Sequence, residues 1–379
     1  MKGSVRKRNN KWYYSLDLPS VGGKRRRIER FGGDTKKEAL KTLHTAIEEL
    51  NTRGTIAKEV NLSLQDYFEY WYQNYVMTNL KYNTQENYRG IIDNHIYPYL
   101  GNYKLKEVGP AQLQDLLNQE FQKGFAKKTL SIIKTVLTGA FRKAVYPYQF
   151  IKDNPMAYVE MPKFDITDPN ANHDMFLSLN EFELIKQAAN PVEPFYIALM
   201  IAFHTGMRRS EILGLEWKHI DFYENTLKIE QVMITKRNEE YSIGTPKTKS
   251  SYRTIDIGTT LINELQKHKE RQVQNKFFYG DKYFSTNFIC TKESGALCTP
   301  NVLKWETEKA QKDSGVNFTF HMFRHTHASL LLEAGVSMKA IQERLGHSRI
   351  STTMDIYSHV TKKTNREAVD IFESAIKRK

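Results

Sequence analysis

Residues 319–357 read TFHMFRHTHASLLLEAGVSMKAIQERLGHSRISTTMDIY and bring together side chains suited to phosphate chemistry. His321 and Arg324 are three residues apart, so both can project from one face of a helix. His347 follows within Leu-Gly-His, and nine residues separate it from Tyr357. The planar fork of arginine matches phosphate oxygens, histidine can donate to them or move protons, and a tyrosine phenol can attack phosphorus. The combination predicts a reaction at a phosphate group.

A second arginine box stands about a hundred residues earlier, where residues 205–211 read TGMRRSE and contain Arg208. The succession T-G-x-R-x-x-E, H-x-x-R-H, L-G-H and a tyrosine resembles the signature of the tyrosine recombinases, the lambda-type integrases. Both boxes occur in the order typical of that family, and either box alone would be a much weaker signal. The resemblance is strongest over residues 178–360, moderate over 1–55 and weakest over 60–160.

The resemblance implies a multidomain fold that is mainly α with small β elements. It implies a three-stranded sheet plus helix at residues 1–55, a helical core-site-binding domain at 60–160, a linker at 161–176 and an α+β catalytic domain at 177–379. The first of these is similar to the arm-site-binding domain of integrases from phages and conjugative elements. The implied function is site-specific recombination of DNA, for the integration and excision of a mobile element.

The family pattern also assigns roles to the residues of the two boxes. By this resemblance, Tyr357 attacks the scissile phosphate, frees a 5′ hydroxyl and leaves a 3′-phosphotyrosine link. Arg208 and Arg324 would clamp the two non-bridging oxygens. His321 and His347 would hydrogen-bond to the same phosphate, and His321 is the candidate acceptor of the phenol proton. The chemistry needs no metal, no ATP and no other cofactor.

A catalytic lysine is carried by a β-hairpin in this family. The segments 241–244 and 252–257 are strand-like, as is 226–235, and the basic residues 245–251 lie where a hairpin tip would join the first two. Lys247 is the expected match and would protonate the departing 5′ oxygen. Lys249 is its rival, because the register of a hairpin cannot be fixed from sequence.

The positive charge of the chain is concentrated at its start. The net charge is +13 and the pI about 9.3, and residues 1–37 contain 12 of the 56 Lys and Arg but 3 of the 43 Asp and Glu. Such a cluster predicts contact with nucleic acid, with a solubilising surface as the alternative. Apolar and polar residues alternate before and after a turn rich in Pro and Gly, which predicts two basic strands. Such strands could lie in the major groove of DNA. The candidate contacts are Lys11, Tyr13, Arg25, Arg26 and Arg27.

Residues 62–158 have a helical pattern rich in aromatic residues. Thr84 is expected to begin a helix that Pro98 ends. Basic and polar residues near the predicted helix starts are candidates for contact with the DNA backbone, although an ordinary solvated surface is the alternative for each of them. These candidates are Lys81, Thr84, Lys127 and Lys128, with Lys249 from the basic segment of the third domain.

Two capping boxes and one apolar run predict individual helices from short stretches of sequence. Thr35 with Glu38, and Ser178 with Glu181, have the spacing that begins a helix. Residues 194–204 are almost wholly apolar and predict a buried helix that ends at Gly206. Arg208 comes directly after it, and a charged residue in such a place must be paired or functional.

The sequence leaves open whether the helix expected after Tyr357 docks on its own domain or on another protomer.

Composition and motif spacing weigh against several other classes of protein. Cys290 and Cys298 are too few for a disulfide framework and suit a reducing cytoplasm. The family resemblance implies the cytoplasm of a bacterial cell, in association with the nucleoid. No run of about 18 apolar residues predicts a membrane span, and no P-loop pattern occurs. His321 and His325 have the spacing of a zinc-hydrolase motif, but Met322 replaces its essential glutamate.

Two alternatives remain beside the recombinase, a type IB topoisomerase-like enzyme and a non-catalytic DNA-binding regulator. The basic segment 1–55 and the distance between L-G-H and Tyr357 favour recombination over the topoisomerase. The regulator would leave the catalytic set unexplained. The partners implied by the family resemblance are double-stranded DNA at attachment sites and three further copies of the chain, in a homo-tetramer on synapsed DNA. An excisionase or a host DNA-bending protein would be an additional partner.

His325 is expected to support its helix, and His327 to be incidental.

Overall fold

The architecture was determined from a computed structural model that describes residues 3–21, 24–53, 62–164, 176–236, 240–246, 248–351 and 354. The chain forms two compact units, Met1–Asp165 and Ile166–Lys379. It is mainly helical with an N-terminal three-stranded antiparallel sheet, which confirms the predicted fold class. None of the helices in these ranges is long and apolar enough to cross a membrane. The division into three domains and a linker stays a prediction.

The first unit begins with the predicted sheet and helix. The strands are β1 (Gly3–Arg8), β2 (Lys11–Val21) and β3 (Lys24–Gly33), in the order β1-β2-β3, and helix α1 (Lys36–Arg53) follows. Tyr14 and Leu16 alternate with outward-facing residues of β2 and pack with Leu43 of α1. The predicted capping box is present, because the backbone N–H of Glu38 donates to Thr35 Oγ1 and the Glu38 carboxylate accepts from the backbone N–H of Thr35.

The rest of the first unit is a helical bundle around an aromatic core that includes Tyr67, Phe68, Trp71 and Phe141. The bundle consists of α2 (Leu64–Trp71), α3 (Met77–Asn79), α4 (Tyr82–Ile91), α5 (Tyr97–Leu100), α6 (Pro110–Gln122) and α7 (Lys127–Val145). Two π-helical turns, Tyr72–Val76 and Ile92–Ile96, join α2 to α3 and α4 to α5.

The prediction that a helix runs from Thr84 and ends at Pro98 is wrong at both ends. The helix begins at Tyr82, two residues earlier, and Pro98 lies in the first turn of α5. Proline is tolerated there because the first N–H groups of a helix have no partner within the helix. The π turn just before α5 lets the chain continue through Pro98 to Leu100.

In the second unit, the predicted apolar helix lies at the centre. The capping box of Ser178 and Glu181 begins α8 as predicted. Helix α9 is buried along most of its length and packs against α11, α12 and α13. The helices are α8 (Leu179–Ala188), α9 (Pro194–Thr205), α10 (Arg209–Leu213), α11 (Thr259–Tyr279), α12 (Pro300–Ser314), α13 (Met322–Glu333) and α14 (Met338–Leu345). The strands are β4 (Ile220–Asp221), β5 (Thr226–Ile229), β6 (Val232–Thr235), β7 (Tyr241–Gly244) and β8 (Arg253–Asp256).

Two strand predictions in this unit are wrong. The segment 226–235 forms two strands in different sheets, because β5 pairs with β4 and β8 whereas β6 pairs with β7. Glu230 and Gln231 separate them, and the side-chain amide of Gln231 donates to Gly214 O at 2.8 Å and to Glu216 Oε1 at 2.6 Å. The residues 245–251 therefore do not form a hairpin tip, and they connect strands of two different sheets. Within them, Lys249–Ser251 is a short 3-10 turn, and Lys247 lies outside the described residues.

A buried arginine cluster as the candidate active site

The T-G-x-R box lies at the C-terminal end of α9 and in the turn that follows it. Gly206 ends the helix with a φ of 66°, a left-handed conformation that glycine adopts without strain. The chain then turns into α10 with Arg208 at its N-cap. Glu211 accepts the backbone N–H of Arg208 at 3.0 Å and its Nη1 at 2.8 Å. The guanidinium of Arg208 is thereby fixed in direction, as the spacing of the two residues in the sequence indicates.

Arg324 joins the two sequence boxes. It lies on α13, is only 2% exposed, and donates from Nη1 to Gly206 O at 2.7 Å and from Nη2 to Leu345 O at 2.6 Å. One guanidinium thus holds the end of α9 beside the end of α14. Burial, and then the nearby positive charge of Arg208, lower the pKa of Arg324 to about 9.

Both predicted histidines lie beside these arginines. His347 follows α14 and is buried, and Arg208 Nη2 donates to the carbonyl of the preceding Gly346 at 3.2 Å. Burial, then the charges of Arg324 and Arg208, lower the pKa of His347 to about 3. His321 stands at the start of α13, and partial burial of its ring together with His325 and Arg324 lowers its pKa to about 4. Both rings are therefore neutral near pH 7.

Arg253 is a member of the cluster that the sequence interpretation missed. Its Nη2 donates to Glu211 Oε2 at 3.0 Å, and its Nε donates to Arg344 O at 2.6 Å. Glu211, which is 2% exposed, is therefore shared by Arg208 and Arg253. Burial raises the pKa of this carboxyl, but the two arginines outweigh that effect and hold the pKa below its usual value. A signal was present, because Arg253 is in phase with the buried Ile255 along β8.

His327, which was expected to be incidental to the chemistry, has a structural role that the sequence interpretation did not identify. It is buried, its Nδ1 lies 2.8 Å from Phe203 O, and its Nε2 lies 3.0 Å from Arg344 Nε. These partners assign the proton to Nδ1, because Arg344 can only donate. Burial and then Arg344 lower the pKa of His327 to about 4. The neutral ring links α9 to α14 behind the cluster.

The cluster carries more positive than negative charge. Three guanidinium groups, those of Arg208, Arg253 and Arg324, meet there, and within the described ranges Glu211 is the only carboxylate that hydrogen-bonds to them. The histidines are neutral and contribute no negative charge. Uncompensated positive charge away from water is costly, and a bound anion would relieve that cost. Donors fixed in this way can stabilise an oxyanion as its charge develops.

The other predicted residues are distributed as follows. Tyr357 and Lys247 lie outside the described residues, as do the side chains of Arg25 and Arg26, although the backbone of these two belongs to β3. Lys249 is exposed on its 3-10 turn, and the adjoining Ser250 carbonyl packs against Gly346. Exposed or half-exposed positions near helix starts or on the sheet are occupied by Lys11, Tyr13, Arg27, Lys81, Thr84, Lys127 and Lys128. No group of His, Cys, Asp and Glu suited to a metal ion occurs in the described part of the chain.

Replacement of Gly206 by alanine should loosen the junction on which Arg324 is anchored. A Cβ there would lie 2.5 Å from Leu345 Cδ2 and 2.9 Å from His327 Cδ2, in a backbone with positive φ. We expect Gly206→Ala to lower the free energy of unfolding by about 2–4 kcal/mol, as measured by urea denaturation. Gly315→Ala is the matched control, because Gly315 also caps a helix, with a φ of 69°, but has open space around its Cβ position. It should cost only about 1 kcal/mol, and equal losses would contradict the crowding argument.

Comparison with known proteins agrees with this geometry. Residues 176–364 match the model of the phage integrase family, and residues 63–121 match that of the phage integrase N-terminal SAM-like domain. The chain is 30% identical to a "Tyrosine recombinase XerC-like" protein of Caldanaerobacter subterraneus subsp. tengcongensis over 382 residues, or 96% of both chains.

Solved structures show the same fold. The Tn1549 transposon integrase in complex with a circular intermediate DNA is 23% identical with a TM-score of 0.63, over 82% of this chain and 99% of that one. A lambda integrase tetramer bound to a Holliday junction is 20% identical with a TM-score of 0.59, over 93% of this chain and 94% of that one. With the family matches, these findings place the chain in the phage integrase family, and it is a site-specific tyrosine recombinase.

Proposed function

We propose that this recombinase cuts and rejoins DNA strands through a 3′-phosphotyrosine intermediate, and that it integrates and excises a mobile element. The observation that carries the proposal is the excess of positive charge in the arginine cluster, where three guanidinium groups meet and one carboxylate, that of Glu211, pairs with two of them. A scissile phosphate would supply the missing negative charge. The likeness to a transposon integrase supports the part of the proposal that concerns mobile elements.

In the first step, the phenol oxygen of Tyr357 bonds to phosphorus, and the bond between phosphorus and the 5′ oxygen breaks. Arg208 and Arg324 stabilise the charge that develops on the two non-bridging oxygens. Neutral His321 and His347 bind the same phosphate, and His321 accepts the phenol proton. An unperturbed phenol has a pKa of about 10 and is a modest nucleophile, so this stabilisation is needed.

The departing 5′ oxygen takes a proton from Lys247, with Lys249 as the alternative donor. In the second step, the 5′ hydroxyl of another strand attacks the phosphotyrosine, a new phosphodiester forms, and the phenol of Tyr357 is released. One phosphate ester is exchanged for another in each step, so the reaction is close to isoenergetic and requires no ATP. The 3-10 turn of Lys249 packs against Gly346, so Lys249 lies on a segment next to the cluster.

The basic surfaces of the chain are proposed to hold double-stranded DNA at attachment sites. In this proposal, the N-terminal sheet binds arm-type sites, the helical bundle binds core sites, and residues 161–176 form a hinge before the catalytic domain. The likeness to a lambda integrase tetramer on a Holliday junction supports a tetramer on synapsed DNA. An excisionase or a host DNA-bending protein would join that assembly. The proposed contacts are Lys11, Tyr13, Arg25, Arg26, Arg27, Lys81, Thr84, Lys127, Lys128 and Lys249.

Covalent trapping tests the proposal. The full-length protein is incubated in chelator with a nicked suicide duplex that carries candidate attachment sites, and adducts that survive denaturant are collected. We expect an adduct whose DNA ends in a 3′ phosphate and whose protein attachment maps to Tyr357 by peptide mass spectrometry. Tyr357→Phe, which lacks only the nucleophilic oxygen, should give no adduct.

The outcomes separate the recombinase from its alternatives. An adduct at another residue would overturn the assignment of Tyr357, and the absence of an adduct on a duplex that the protein binds would favour a DNA-binding regulator. A type IB topoisomerase would also form the adduct. The joining of two distinct DNA sites in a second assay would therefore be required, and relaxation of supercoils without such joining would contradict recombination.

A further inference from the structure

The two faces of the N-terminal sheet differ in chemistry. Because side chains alternate along a strand, Tyr14, Leu16 and Ile28 pack toward α1. Their neighbours in sequence project from the opposite face, which no element of the sheet-and-helix module covers. On that outer face, Arg6 of β1 stands opposite Tyr13 of β2 in the strand register. The outer face therefore carries both charged and aromatic side chains, and Arg6 and Phe31 on it are exposed.

One ion pair on the outer face has a geometry that fixes an arginine. Arg6 on β1 and Glu29 on β3 reach across the central strand, with Nε donating to Oε1 at 3.0 Å and Nη2 donating to Oε2. Their side chains are 62% and 31% exposed. Two parallel bonds hold the guanidinium plane in one orientation. The hydrogen bond from Arg6 also lowers the pKa of Glu29, so the carboxylate is charged at neutral pH.

The pairing occupies only one edge of the guanidinium. Nε and one hydrogen of Nη2 face Glu29, whereas Nη1 and the second hydrogen of Nη2 form a separate edge with two parallel donors. In the major groove, guanine presents O6 and N7 as two adjacent acceptors, and a bidentate arginine is their commonest specific partner. An arginine that is already oriented loses less conformational freedom on binding than a free one.

We propose that Arg6 reads a guanine in the major groove through its Nη1/Nη2 edge and that Glu29 positions it for this contact. The inference rests on the proposed function, because it assumes that the sheet binds DNA, and it adds a base-reading pair that was not among the expected contacts. Ordinary exposed ion pairs contribute about 0–1 kcal/mol to stability, so a gain in stability is a poor explanation for this pair.

The surroundings of the pair suit a position within the groove. Lys11 Nζ lies 5.4 Å from the ring centroid of Phe31. The ring of Phe31 in turn packs edge-on against that of Tyr13, with 5.9 Å between the two centroids. Arg27 donates to Ser15 Oγ at 2.7 Å on the other side of Glu29. Basic groups thus stand on both sides of Arg6 and Glu29. They can contact the two phosphate backbones while the central pair faces the bases.

Selection from a random duplex library tests the inference with the full-length protein. Wild-type protein should enrich a motif with a guanine at one fixed position. Arg6→Lys keeps the charge but not the two-donor edge, and it should lower the affinity ratio of guanine to other bases there by roughly 5- to 150-fold. Glu29→Gln should weaken the same preference less. Arg8→Lys is the control, because Arg8 projects from the same face and strand, and it should leave every base preference unchanged.

Three other results would overturn the inference. If Arg6→Lys keeps the full motif, or if Arg6→Ala weakens all sequences equally, the pair is a phosphate contact or a surface ion pair, and the proposed function stands. If wild-type protein enriches no motif, the inference falls together with the proposed sequence-specific binding of the sheet, and the proposed strand transfer is judged by covalent trapping alone. The covalent-trapping assay reports on the catalytic cluster independently of the sheet, so the two failures are distinguishable.

Discussion

Glu211→Gln should lower the free energy of unfolding by about 3–5 kcal/mol, because it removes the carboxylate that Arg208 and Arg253 share. Glutamine has nearly the same shape but no charge, and only its carbonyl oxygen can accept a hydrogen bond. Three guanidinium groups, two of them buried, would then remain close together with no counter-charge. We expect the loss to appear as faster amide hydrogen exchange along α9 and as a lower urea midpoint of the second unit.

Glu69→Gln is the matched control for this prediction. Glu69 accepts from Arg89 Nη1 at 2.6 Å and from Nη2 at 2.9 Å, so the bidentate geometry is similar, but its side chain is 41% exposed. The control should cost at most about 1 kcal/mol, because water replaces the lost interaction. If both variants lost the same free energy of unfolding, the burial of Glu211 would not explain its contribution to stability.

A double variant distinguishes loss of charge balance from loss of packing. In Glu211→Gln/Arg253→Met, one of the uncompensated guanidinium groups is also removed. We expect the double variant to be more stable than Glu211→Gln by about 1 kcal/mol or more, although both carry the same damage at Glu211. If the second substitution only adds to the loss, the side chain of Arg253 contributes by packing, and the account based on charge is wrong.

The parts of the fold that follow local rules were predictable from sequence. The capping boxes at Thr35 and Ser178 began helices where expected, because their partners lie three residues away. The buried helix α9 was predictable from a single apolar run. The convergence of Arg208, Arg324 and His347 followed from the family resemblance, and the structure brings these residues together without any local signal that connects them.

The errors arose where distant partners determine the structure. Arg253 was missed because its carboxylate partner is 42 residues away in sequence. The hairpin predicted around residues 245–251 failed because β8 pairs with β5, and local strand propensity does not specify which strand a segment joins. The structural role of His327 was missed because its two partners, Phe203 and Arg344, are 124 and 17 residues away in sequence. In each case, tertiary contacts outweighed the local pattern.

Arg324→Lys should slow formation of the covalent adduct by about 100- to 1,000-fold, while the affinity for duplex DNA changes by less than a few fold. Lysine keeps the charge but loses the planar fork, so it cannot hold Gly206 O and Leu345 O together and also face a phosphate. The loss should be in the rate of cleavage rather than in binding, because the charge on the phosphate oxygens is largest in the transition state. Single-turnover cleavage of a suicide duplex at saturating protein measures this rate directly.

Arg344→Lys separates a catalytic role from a structural one. Arg344 is also partly buried and donates to two backbone carbonyls, His204 O at 3.2 Å and Asp256 O at 3.1 Å, but it is not among the proposed phosphate ligands. Its replacement should therefore reduce stability while slowing cleavage by less than about 10-fold. If both variants lose the same factor in rate while remaining folded at the assay temperature, the carbonyl contacts explain the effect of Arg324, and its role at the phosphate is not supported. A loss confined to Arg324→Lys would instead mean that a guanidinium already held by two carbonyls also stabilises the phosphate in the transition state.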